Sequence, residues 1–86
     1  MQRNKDLILK IAMFTESAKT PFESSVLVFE STTKEAISEH CLMMLEDGYL
    51  KGEQIKSMRR DPFEYTIQGL TPAGHDLLEA YRKSLA

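Results

Sequence analysis

His40 and Cys41 stand side by side, and an imidazole next to a thiol is the raw material of metal sites and of nucleophile–base couples. Neighbouring positions on a helix project about 100° apart. The two side chains therefore cannot share an ion or a proton, and core packing accounts for both. The second histidine, His75, falls in the opening turns of a later helix, and nothing in its spacing ties it to His40. The other carriers of enzyme chemistry are missing. There is no strand–turn–helix nucleophile elbow, no glycine loop to cradle phosphate and no carboxylate pair in an evident pocket. The sequence reads as non-enzymatic, with no metal, no cofactor and no evident small-molecule substrate.

Charge offers a sharper candidate. Lys56, Arg59 and Arg60 cluster at what reads as a hairpin tip, and from Lys51 to Pro62 four basic residues face Glu53 and Asp61, a local net charge of +2. Such a tip reaches phosphates or a minor groove as a wing does. The plain alternative is a solvated turn whose charges protect a sheet edge. Upstream, Thr33, Lys34 and Ser38 lie near the positive end of a helix dipole, where backbone or base-edge contacts with DNA are expected. That same helix sets Lys34 against Glu35, Glu39, Glu46 and Asp47, a local net charge of −3 that repels phosphates. Leu42 and Met43, on or beside its outer side, are candidates for contact with another protein, although isolated surface hydrophobes are common.

The elements that must position these residues follow from periodicity. Leu7, Ile8, Ile11 and Phe14 recur at helical spacing from Asn4 to about Glu16. Thr20-Pro21 breaks the pattern, and the β-branched and aromatic run Val26-Leu27-Val28-Phe29 predicts a short strand. Thr32-Thr33-Lys34-Glu35 has capping-box spacing, and Ile37, His40, Cys41, Met44 and Leu45 form one stripe of a second helix ending near Asp47, ahead of Gly48. Residues 50–58 and 64–70 predict a hairpin, with Ile55, Tyr65 and Ile67 on its apolar face. Thr71-Pro72 opens a third helix carrying Gly74, Leu77, Leu78, Tyr81 and Leu85. The expectation is an α+β winged helix: three helices with a two- to three-stranded antiparallel sheet whose hairpin is the wing.

Two stretches, HCLMMLEDGYLKG from His40 and GLTPAGHDLLEAYR from Gly69, resemble the signature segments of a short bacterial and phage family known only as a domain of unknown function. The resemblance implies a winged-helix fold, frequent occurrence in mobile elements and no established activity. One departure bears on function. A helix-turn-helix reader has a helix just before its recognition helix, whereas this chain has Val26-Leu27-Val28-Phe29 there. The preceding helix is then either one turn around Ser31 to Ala36 or absent.

At 86 residues the chain supports one core, so residues 1–86 read as a single domain. The one cysteine excludes an internal disulfide, and no apolar run approaches the roughly 18 residues that span a bilayer. A charged opening without a signal-peptide pattern points to the cytoplasm. Two functions are expected from this reading. The first is a DNA-binding or DNA-associated accessory or regulatory protein with weak, salt-sensitive contacts, because the net charge of −2 opposes a phosphate backbone. The alternative is a non-catalytic protein-interaction module, either a homodimer or a docking surface for another protein.

Overall fold

The computed structural model describes residues 4–55 and 64–85. The first helix, α1 (Lys5–Ser17), starts where the Asn4 side chain accepts the Leu7 N–H at 3.2 Å. Its buried stripe is Leu7, Ile8 and Ile11, completed by Ala12 and by Thr15, whose hydroxyl donates to the Ile11 carbonyl at 2.7 Å. Phe14 sits at the margin of that stripe, and its ring meets Phe22 edge-on with centroids 4.9 Å apart. This contact ties α1 to the strand that follows.

That strand is β1 (Phe22–Glu23), not the predicted 26–29. It pairs antiparallel with the last strand, Phe22 opposite Ile67 and Glu23 opposite Thr66. The ladder then stops for a local reason. Ser24 is buried, and its hydroxyl takes the Tyr65 N–H at 2.9 Å in place of a backbone carbonyl. The Leu27 N–H folds back to the Ser24 carbonyl at 3.1 Å and closes a 3₁₀ turn over Ser24–Val26. Leu27 drops into the core, while Val26 and Val28 are left facing solvent, Val28 being 82% exposed. Ahead of the next helix, which starts at Lys34, the chain has this 3₁₀ turn and no α-helix, so of the two expected alternatives a separate turn around Ser31 to Ala36 is not the one observed.

The second helix, α2 (Lys34–Glu46), is capped by Thr33, which accepts the Ala36 N–H at 3.1 Å. The expected capping box is not formed, because the third helical position is Ala36 and Thr32 instead donates to the Glu30 carbonyl. Gly48, with φ of +80°, turns the chain out of the helix as its position predicted. The chain then enters β2 (Leu50–Gln54), which pairs antiparallel with β3 (Tyr65–Leu70). Strand order is β1-β3-β2, with β3 central. The register slips between Lys51 and Gly52, and Gly52 lies so close to β3 that a Cβ there would be 2.1 Å from the Thr66 carbonyl oxygen. Ile67 is fully buried, but Ile55 is only half-buried at the end of the described ladder.

The last helix, α3 (Pro72–Leu85), begins as the Thr-Pro pair dictates: the Thr71 hydroxyl accepts the Gly74 N–H at 3.0 Å. The same hydroxyl donates to the Gly48 carbonyl, and the Thr71 N–H donates to the Tyr49 carbonyl at 3.1 Å. The end of α2 and the start of α3 are thus held by one residue. Ile11, Met44, Ile67 and Leu78 are almost wholly sealed from solvent and bring α1, α2, β3 and α3 into one interior. The result is an α+β fold, three helices on a three-stranded antiparallel sheet, compatible with the winged-helix plan. No described helix is long and apolar enough to cross a membrane.

Candidate interaction face on the second helix

Helical spacing sorts the side chains of α2 into two faces. Ile37, Ser38, His40, Cys41 and Met44 are buried. Glu35, Glu39, Leu42 and Glu46 fall within a narrow arc on the other side, and all four are exposed. With a rise of about 1.5 Å per residue, Glu35 and Glu39 lie about 6 Å apart along the axis and Glu39 and Glu46 about 10 Å. Leu42 sits inside this carboxylate stripe, 40% exposed, and Met43 is half-buried at the margin. The apolar contact expected at Leu42 and Met43 therefore has an accessible side chain at its centre and a partly covered one beside it.

The residues expected to approach DNA are divided by the fold. Thr33 and Lys34 are exposed at the N-terminal turn of α2. Ser38 must be corrected. It is 7% exposed and its hydroxyl is hydrogen-bonded to Tyr65, so it faces the interior and not a groove. Desolvation raises the Tyr65 phenol above its ordinary range, which keeps that pair neutral. Lys56, Arg59 and Arg60 lie outside the described residues.

The histidine–cysteine pair separates as the helical period requires. The His40 ring is 3% exposed; Nδ1 lies 2.7 Å from the Ala36 carbonyl, and Nε2 accepts the Asn4 N–H at 3.0 Å. These partners assign the proton to Nδ1 and use up both ring nitrogens. Cys41 has no exposure, and burial pushes its thiol up to about 12, so it carries no thiolate at neutral pH. His75 does not approach His40. It is exposed near the Glu16 carboxylate, whereas His40 caps the other end of α1. Among the described residues no group of three or more His, Cys, Asp or Glu is placed to hold a metal ion.

A charged contact joins α1 to α3. Arg82 donates to both Glu16 oxygens, at 2.7 and 3.2 Å, and this bidentate bond, more than the Coulomb attraction, holds the Glu16 carboxyl below its ordinary range. It pins the exposed end of α3 and leaves the outer face of α2 clear of that ion pair.

In the sequence the acidic face shows as a net charge on the helix. The signal is the spacing of positions 35, 39, 42 and 46, which repeats at four, three and four. The two outward valines, Val26 and Val28, carried no such signal, because their run reads as a strand.

Compared with known proteins, residues 2–85 match the model of a family described as a hypothetical protein, DUF2513. No curated protein and no solved structure matches the chain.

Proposed function

The chain belongs to the DUF2513 family, whose description assigns no activity, and from the geometry we propose that it is a non-catalytic protein-interaction module working through the outer face of α2. One observation carries this reading. The helix that a winged-helix protein would lay in the major groove presents Glu35, Glu39 and Glu46 around an exposed Leu42. Phosphates repel such a face, while a protein surface accommodates it. The burial of the His40 imidazole and the Cys41 thiol supports the non-catalytic part of this reading, since neither is open to solvent. A lone cysteine with no second one to pair with suits a reducing compartment, and a cytoplasmic location is part of this reading.

The test is a pull-down and a light-scattering series with the wild type and with Leu42→Glu. The wild type is expected to retain a partner, or to self-associate, and Leu42→Glu to lose it. A monomer whose interaction profile is the same in both forms would end the proposal.

A second reading, a DNA-associated accessory or regulatory protein, draws on the +2 stretch from Lys51 to Pro62 and on the exposure of Thr33 and Lys34. Lys56, Arg59 and Arg60 would contact backbone, in weak binding that falls steeply with salt. Fluorescence anisotropy with duplex DNA at low salt decides it. If no binding is seen, or Arg59→Ala/Arg60→Ala leaves it unchanged, this reading is withdrawn.

A further inference from the structure

Resting on the interaction reading, we infer the chemistry of the partner: a lysine- or arginine-rich segment of another protein, with one apolar stripe, laid along α2 over Leu42. Three observations converge on it. The outer face of α2 carries charge of one sign beyond its first turn, and among the described residues Glu35, Glu39 and Glu46 enter no ion pair. Two of the charges also work against the helix that bears them: Glu39 repels Glu35, which the dipole favours in the first turn, and Glu46 sits at the negative end of the dipole, where the last turn has no basic residue. Finally, Leu42 is exposed in the same arc, so a docking segment gains apolar burial as well as charge pairing. Glu16 and Glu79 are answered locally by Arg82 and Lys83, whereas the three carboxylates on α2 stand together in one arc with no cation of their own among the described residues.

Charge complementarity selects the occupant. A nucleic acid is repelled by these carboxylates, and a purely apolar groove-binder would desolvate them without compensation. A basic amphipathic segment pairs them at the rim and covers Leu42 at the centre.

The probe is a fluorescently labelled 14-residue peptide of Leu and Lys with its leucines at helical spacing, titrated by anisotropy against the full chain. Two counterparts accompany it, one with Ser for Leu and one with Glu for Lys. The Leu/Lys peptide is expected to bind, the Ser variant at least tenfold more weakly, and the Glu variant not at all. Glu39→Lys/Glu46→Lys is expected to weaken binding at least tenfold, and Leu42→Ala severalfold. Glu53→Lys/Asp76→Lys, which changes net charge equally elsewhere on the exposed surface, should leave the affinity within twofold. If that control weakens binding as much as the α2 reversal, the attraction is to net charge and the inference is overturned. If the Leu/Lys peptide fails to bind but Leu42→Glu still abolishes a captured partner, the basic chemistry is wrong and the interaction reading survives. Failure of both removes both.

Discussion

Gly74 lies against the carbonyl of Tyr49 so closely that a Cβ on it would stand 2.1 Å from that oxygen. Around this contact, Thr71 reaches the Gly48 and Tyr49 carbonyls, and β2 pairs with β3 from Leu50 opposite Leu70. The two stretches that carry the family resemblance therefore meet at a single joint, where the C-terminus of α2 faces the N-terminus of α3. Within them, Gly48, Thr71 and Gly74 are explained by this backbone approach.

Gly74→Ala must move backbone, since the clashing atom is a carbonyl oxygen and not a flexible side chain. We expect a loss of about 1–3 kcal/mol, which for a domain of this size is a fall of roughly 4–8 °C in Tm per kcal/mol. Gly69→Ala is the control, because a Cβ there meets nothing within 4 Å. Thermal unfolding followed by circular dichroism checks both. Equal melting temperatures for the two variants would show that the joint is loose.

What was legible in the sequence follows how local the cause is. The start of α3 was readable because its cap, Thr71-Pro72, acts within three residues, and α1 because its apolar side chains recur at helical spacing. The first strand was misplaced because Val26-Leu27-Val28-Phe29 has the stronger β propensity, and Leu27 does adopt an extended backbone. What removes it from the sheet is the Ser24 hydroxyl bonded to Tyr65, 41 residues away. Ser38 failed as a groove contact for a similar reason, since its partner Tyr65 lies on β3. The imbalance of charge on α2 and the outward position of Leu42 were both readable from the helical period, and the burial of Ile37, Cys41 and Met44 fixes the opposite face.

His40 accepts the N–H of Asn4, the residue that caps α1, from 36 positions away. Replacing it by Leu keeps the volume and removes the acceptor, leaving a partly buried donor without its bond. The expected cost is about 1–3 kcal/mol. Local rather than global loss is the diagnostic. Amide exchange at Asn4 and through the first turn of α1 should accelerate in His40→Leu more than exchange in α3 does. If the Asn4 amide is equally protected in both proteins, the imidazole is not its partner in solution.

Glu16 gives a pH dependence of known sign. Its carboxyl is held below the usual 4.5 by the Arg82 guanidinium, so the unfolded chain binds its proton first as pH falls. The stabilisation is present above about pH 4.5 and is lost as the pH drops through the lower folded-state value. The pair is exposed, so solvent screening keeps the effect small. Melting temperatures between pH 3 and 6 should fall less steeply for Glu16→Gln than for the wild type. Parallel acid limbs would mean that the bidentate contact is not held in solution.

The strongest check on the α2 face separates folding from binding, because the two should move in opposite directions. Reversing Glu39 removes a like-charge neighbour of Glu35 and creates an attractive i,i+4 pair, worth about 0.2–0.5 kcal/mol. Reversing Glu46 places a cation at the negative end of the dipole, worth about 0.3–1 kcal/mol. Glu39→Lys/Glu46→Lys is therefore expected to raise the urea midpoint modestly while reducing binding of a basic peptide. A face shaped only for stability would have no reason to keep carboxylates at both positions. If the double variant is less stable than the wild type, the carboxylates are bonded within the fold, and the case for an external cation loses its physical ground.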